Sequence, residues 1–269
     1  MLRAAFVFAS LLLAPLPPQA PPAGGRPPAA LDSEPSDAAA IGFLTTVVDQ
    51  RVYSLESVGA VRLTSKVKAT FEVTDPLSKR PSQSLELDVT FDYLTGATTC
   101  KPSPPPADLD LEQQKQRYEV VVLASSAAQN CFSLKPSRSA NGWKVKFVQD
   151  GEAVRLDYSP RNPAGLVESF SEWLRLDGTP LRRRIVSRVP SNGVLTTATQ
   201  EIAFDYEEVE KRLLLKELRP IETATARTGY RFEYLTREGL HCLSKVVQEE
   251  TGWRLTLDFN TKVELAAKR

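Results

Sequence analysis

Leu85-Glu86-Leu87-Asp88-Val89-Thr90-Phe91-Asp92-Tyr93 carries an apolar side chain at every odd position and a polar one at every even position. Side chains of an extended strand point to opposite faces in turn, so the stretch predicts a strand with one greasy face and one wet face. The pattern recurs on both sides of it. Upstream, Val61, Leu63, Val67, Phe71 and Val73 share one face, and Arg62, Thr64, Lys66, Lys68, Thr70 and Glu72 share the other. Near the C-terminus, Trp253, Leu255, Leu257, Phe259, Val263 and Leu265 alternate with Arg254, Thr256, Asp258, Lys262 and Glu264.

Turn residues order the strands in between. Asp150-Gly151 predicts a hairpin joining 143–149 to 152–158, and Asp177-Gly178 with Pro180 joins 169–176 to 181–189. The segment 166–174 also fits a helix, but the hairpin that follows favours strand from Ser169 onward. Asn192-Gly193 introduces a strand through Ile202, Phe204 and Tyr206, and 213–218, 230–235 and 243–248 read as further strands. The expected total is about 10–13 antiparallel strands in a meander.

Only one helix is predicted, over 37–54. Ser36 and Asp37 are N-cap candidates, Ile41, Leu44, Val48, Val52 and Leu55 follow at helical spacing, and Phe43 and Val47 widen the stripe. The Pro-rich stretch at 100–117, with Pro102, Pro104, Pro105 and Pro106, reads as an irregular surface insertion holding at most one helical turn near Leu109.

A sheet with a single greasy face must cover it. One arrangement is a curved half-barrel with the helix against its concave face and room left for an apolar ligand. The other is a two-layer β-sandwich. The remainder of the chain says where it works. Arg3 followed by the uncharged run Ala4–Ala14 predicts a secretory signal over 1–20, too short for a bilayer core of about 30 Å. A Pro/Ala/Gly-rich linker at 21–36 precedes a single β-rich domain at 37–269. The expected home is periplasmic or extracellular, soluble after signal cleavage and without a transmembrane span. The alternative is N-terminal anchoring by an uncleaved signal.

Composition removes several functions. Across 269 residues, 34 Lys and Arg nearly balance 33 Asp and Glu, for a formal charge of +1, which is no footprint for nucleic acid. One His and three Cys cannot build a His-rich metal site or a zinc ribbon, and no cofactor motif is present. No G-x-S-x-G occurs and His241 has no partner at metal-ligand spacing, so no catalytic set is expected.

The hairpin residues Trp173, Leu174, Leu176, Asp177, Gly178, Pro180, Leu181 and Arg182, after an export signal and one amphipathic helix, resemble the Lol-type lipoprotein-carrier superfamily. Its relatives include periplasmic outer-membrane lipoprotein-sorting proteins and the RseB sensor domain. Phe204-Asp205-Tyr206 followed by Leu213-Leu214-Leu215 adds to the resemblance. It implies a half-barrel that shelters acyl chains or lipoprotein tails.

The expected sites follow. An apolar cavity would be lined by Phe71, Leu87, Val89, Phe91, Tyr93, Phe147, Phe204, Phe232, Leu257 and Phe259. In the run Arg182-Arg183-Arg184 with Arg188, alternation puts Arg183 alone on the greasy side, where it would contact an anion or lipid headgroup. Cys100 and Cys131 would bridge the ends of the insertion in an oxidising compartment, contributing about 3.5 kcal/mol in the chain-entropy model. Cys242 is left as a small buried residue. Two non-catalytic functions fit: a binding protein for a lipid or lipoprotein acyl chain, or an envelope module that engages a protein partner and holds no ligand.

Overall fold

A computed structural model describes residues 38–75, 81–95, 97–131, 143–160, 167–191, 194–221 and 229–266. The expected signal at 1–20, the linker at 21–36, the N-cap candidates and Asn192-Gly193 lie outside the described residues.

Twelve antiparallel strands form one open sheet: β1 (Ala60–Val73), β2 (Gln83–Asp92), β3 (Thr98–Pro102), β4 (Trp143–Asp150), β5 (Ala153–Pro160), β6 (Val167–Arg175), β7 (Pro180–Ser191), β8 (Val194–Val209), β9 (Arg212–Pro220), β10 (Gly229–Arg237), β11 (Leu240–Glu250) and β12 (Trp253–Leu265). Their order is β3-β2-β1-β12-β11-β10-β9-β8-β7-β6-β5-β4. Strands β4 to β12 form one meander, β1 pairs with β12, and β2 and β3 extend that side. The strand at 169–176 is therefore β6, not a helix. The sheet curves over the helices on its inner face; a second sheet, as the sandwich alternative required, is not present among the described residues.

Alternation sets which face is inner. Along β1, Leu63, Val67, Ala69 and Phe71 are buried while Arg62, Thr64, Lys66 and Lys68 are exposed. In β2 Leu85, Leu87, Val89 and Phe91 are buried, and in β12 Trp253, Leu255, Leu257 and Phe259 are. Removing a large apolar side chain from water stabilises by about 1.5–3 kcal/mol, so register is strongly specified wherever this face is covered.

The first cover is a rod of three consecutive turns: α1 (Ala38–Phe43), a π-helical turn at Leu44–Val48, and α2 (Asp49–Arg51). Ala40, Leu44, Val48 and Val52 are buried at a spacing of four. Thr45 and Thr46 donate from their hydroxyls to the Ile41 and Gly42 carbonyl oxygens, at 2.9 and 2.6 Å, at the start of the wide π turn. The rod ends at Val52, where ψ turns to 122° and the backbone makes a parallel bridge with Leu213. Leu55 lies beyond it, buried in a separate cluster.

The second cover corrects the sequence expectation. The Pro-rich insertion is irregular only from Ser103 to Asp110; before it lies β3, and after it runs α3 (Leu111–Cys131), a helix of 21 residues. Asp110 and Gln113 cap its start reciprocally. The Gln113 N–H donates to Asp110 Oδ1 at 2.8 Å, and the Asp110 N–H donates to Gln113 Oε1 at 3.0 Å. Val120, Leu123, Ala124, Ala127, Ala128 and Cys131 pack into the largest core cluster with β1, β2 and β8 to β12. Two helical bodies, rather than one, fill the inner face.

Candidate functional site

The hairpin of β6 and β7 brings the rod to the sheet. At its turn, Asp177 Oδ1 accepts from the Thr179 N–H at 2.9 Å, and the Gly178 N–H donates to the Arg175 carbonyl oxygen at 2.9 Å. Gly178 has φ of +84°, and a Cβ placed there would stand 3.0 Å from Val47 Cγ1 and 3.1 Å from the Val47 carbonyl carbon and oxygen. The turn is thus seated on the rod. Arg51 holds the far end, donating to Glu208 Oε2 at 2.9 Å and the Lys211 carbonyl oxygen at 3.1 Å, with Asp177 at 3.8 Å. On the outer face, Trp173 lies under the Arg182 guanidinium, 4.1 Å from its ring centroid. Glu201 takes both Arg182 and Arg184, and Glu168 takes Arg188, so the outer arginines have acidic partners.

Arg183 faces inward, as its position predicted, but it is already paired. Its Nε donates to Glu172 Oε1 at 2.8 Å, and its Nη2 reaches the same oxygen. The Tyr158 hydroxyl donates to Glu172 Oε2 at 3.2 Å. Glu172 is 2% exposed. A buried pair of this kind repays its desolvation only with good geometry and further hydrogen bonds, and both are present here. Apolar rings surround it. Tyr158 stacks on Phe170 with centroids 4.0 Å apart, and the guanidinium carbon lies 5.7 Å from the Phe170 ring and 5.5 Å from the Phe204 ring. Burial, reinforced by the Glu172 charge, pushes the Tyr158 phenol well above its ordinary range.

Beyond Phe204 stands Tyr206, at 6.2 Å between centroids. Tyr206 packs against both the cluster under α3 and the cluster under the rod, so the two cores meet at this residue. Tyr206 and Tyr234 are only partly buried, yet dehydration by the surrounding protein drives both phenols far above their usual range. At Tyr206 the Glu172 charge adds to the rise and the Arg183 charge opposes it.

The ten residues expected to line one cavity are divided among three cores. Phe71, Leu87, Val89, Phe204, Phe232, Leu257 and Phe259 pack in the cluster under α3. Phe147 packs under the rod, edge-on to Phe43 at 5.8 Å. Phe91 and Tyr93 meet edge-to-face at 4.7 Å in a third cluster with Leu63 and Cys242. Of the ten, Phe204 adjoins the Arg183–Glu172 pair. A groove of about 430 Å³ is lined by the outward residues Lys66, Lys68, Glu86, Asp88, Asp258 and Asn260 together with Val67, Leu87 and Phe259, so charged and apolar surface are mixed there.

Cys100, Cys131 and Cys242 are free thiols, so the expected Cys100–Cys131 bond is absent. Helix geometry explains this. The Cys100 thiol bonds with Ser125, and Cys131 lies six residues further along α3, about 9 Å down the axis and on another side of the helix. Burial pushes both thiols up, Cys131 the more strongly. His241 engages Thr236 through Nδ1 at 3.0 Å, and its backbone N–H donates to the Tyr53 hydroxyl at 2.9 Å. No group of residues suited to hold a metal ion occurs among the described residues.

Glu172, Tyr206, Tyr234 and Gln200 were not anticipated. Glu172 had a readable signal: it stands as many residues before the Asp177-Gly178 turn as Arg183 stands after it, and the two are cross-strand partners.

No protein-family model matches this chain, and no curated protein matches it significantly. Among solved structures it is similar to a LolA superfamily protein from Nitrosomonas europaea, with 10% identity and a TM-score of 0.31 over 86% of this chain and 94% of that one. It is also similar to an outer membrane lipoprotein-sorting protein domain from Vibrio parahaemolyticus, with 9% identity and a TM-score of 0.30 over 77% of this chain and 87% of that one. These are the kinds of protein that the β6–β7 hairpin residues resembled.

Proposed function

We propose that this chain is an exported, non-catalytic binding protein that holds an apolar ligand, such as a lipid or acyl chain, on the inner face of its sheet. The observation that supports this most is the single sheet with one apolar face over two helical covers, where the rings of Phe204 and Tyr206 lie beside one buried ion pair, Arg183–Glu172. Such a mixture of rings and a few convergent polar groups suits a small-molecule site. Export is supported by Arg3 and the apolar run after it. No helix among the described residues is long and apolar enough to cross a membrane.

The test is direct. Protein purified under native conditions is extracted with organic solvent and the extract analysed by mass spectrometry. In parallel, the neutral apolar dye N-phenylnaphthylamine is titrated into the delipidated protein. Saturable dye fluorescence near one site per chain, displaced by the extracted lipid, is the expected outcome. An empty extract together with no saturable dye binding overturns the proposal and favours the envelope interaction module.

A further inference from the structure

An open sheet has two edges, and here they are unlike. The strand order leaves β3 at one end and β4 at the other. β3 is five residues long and closes on Pro102, which has no N–H to offer. β4, Trp143-Lys144-Val145-Lys146-Phe147-Val148-Gln149-Asp150, has eight residues and no proline, and it pairs with β5 along its whole length without a bulge. Every second residue of such a strand turns its N–H and C=O away from the sheet. Among the described residues no strand lies beyond β4 to receive them.

Side chains decide what such an edge accepts. Toward the inner face, Val145 is buried and Phe147 is half-buried against Phe43 of the rod, with 5.8 Å between ring centroids. Toward the outer face stand Lys144 and Lys146, and neither makes an ion pair among the described residues. Asp157, the cross-strand partner of Lys146, is engaged by Arg155 at 3.0 Å and by the Ser171 hydroxyl at 2.7 Å. Ser159, opposite Lys144, is neutral. Lysines at an edge oppose a strand that carries cations at the same places and favour one that carries carboxylates there.

We propose that β4 is a docking edge for an extended segment of a partner protein in which acidic and apolar residues alternate. The segment adds one more strand through main-chain hydrogen bonds. Its carboxylates stand beside Lys144 and Lys146, and its apolar side chains lie against Val145 and Phe147. This surface is separate from the apolar-ligand reading above, and each stands without the other.

The experiment uses the full chain and a fluorescein-labelled heptapeptide of alternating valine and glutamate, read by fluorescence anisotropy at low salt. The controls are the same peptide with lysine for glutamate and two forms N-methylated on alternate residues, one on the valines and one on the glutamates. The glutamate peptide is expected to bind saturably, about tenfold more tightly than the lysine peptide. The paired change Lys144→Glu with Lys146→Glu is expected to reverse that order, which an unfolded variant could not do. One N-methylated form is expected to lose at least tenfold, because its methyl groups replace the donors that face β4. No saturable binding, equal affinity for the glutamate and lysine peptides, an order that the paired change leaves as it was, or full binding by both N-methylated forms would each overturn the proposal. So would sedimentation that finds a dimer dissociated by the same paired change, since the occupant would then be a second copy of this chain.

Discussion

Replacing Gly178 by Ala tests the seating of the β6–β7 turn on the N-terminal rod. Two costs add. An L-residue held at φ of +84° pays about 1–2 kcal/mol for the left-handed conformation. The new Cβ would also sit 3.0–3.1 Å from Val47, and two of the three atoms it meets, the carbonyl carbon and oxygen, are backbone that cannot rotate aside. Overpacking of this type costs about 1–3 kcal/mol. The sum is about 3 kcal/mol, or about 6–12 °C in Tm for a domain of this size. Gly59→Ala is the matched control, because Gly59 has φ of +89° and nothing within 4 Å of the new Cβ. It should lose only the conformational part, about 1–2 kcal/mol. Urea unfolding of both variants, read at constant m, separates the two contributions. If the Gly178 variant is no less stable than the Gly59 variant, the turn does not press on the rod, and the reasoning about how the hairpin positions the inner face is wrong.

Other consequences are as specific. Tyr158 and Tyr230 are fully buried phenols raised well above their ordinary value. A raised folded-state value makes their contribution complete below the unfolded value near 10 and lost as pH climbs past it, so urea midpoints should be flat to about pH 9.5 and then fall. The fall should approach about 1.4 kcal/mol per pH unit for each phenol, and Tyr158→Phe should remove one phenol's share of the slope; an unchanged slope contradicts the burial of Tyr158. Glu172→Leu alone leaves Arg183 buried without its partner and should cost about 3–5 kcal/mol, whereas adding Arg183→Met should recover most of it. Additive losses in that double-mutant cycle would mean the pair does not interact. Three thiols should react with an alkylating reagent in urea whether or not reductant was present beforehand, because Cys100 and Cys131 are not bonded; recovery of one thiol without reductant would show that the bridge forms.

The sheet was legible in the sequence because a strand with one dry face writes its register into every second residue. Leu85 to Phe91 and Trp253 to Phe259 lie on the inner face where alternation put them, and Arg183 was separated from Arg182 and Arg184 by the same rule. Helix α3 was hidden for the opposite reason. Its C-terminal half is covered on several sides, with Val120, Leu123, Ala124, Ala127 and Ala128 buried and Val121, Val122, Ser125 and Ser126 half-buried, so no polar stripe marks a 3.6-residue period. Three consecutive valines in the same stretch mimic a strand. The available clue was local: Asp110-x-x-Gln113, a reciprocal cap at the end of the proline run. Strand β3 escaped because five residues ending in a proline carry too short a period, and a proline is tolerated there only because β3 is at the sheet's edge.

The candidate site was missed because aromatic residues on a greasy face were assigned to one cavity, when most of them fill cores. What separates a lining residue from a packed one is a conflict between pattern and chemistry. Glu172 and Gln200 occupy inward positions that alternation reserves for apolar side chains, flanked by Phe170 and Leu174 in one strand and Ile202 in the other. Burying a polar group there costs free energy that Phe or Leu would not, and Glu172 offsets it with Arg183 and Tyr158. Gln200 has no such compensation for its oxygen. A sequence can therefore be searched for polar residues on the dry face of a strand, then for their partners at equal distance across the next turn. Applied here, that search finds Glu172 and Arg183 across Asp177-Gly178 and leaves two residues unanswered, Gln200 through its oxygen and Gln248 through both its oxygen and its nitrogen.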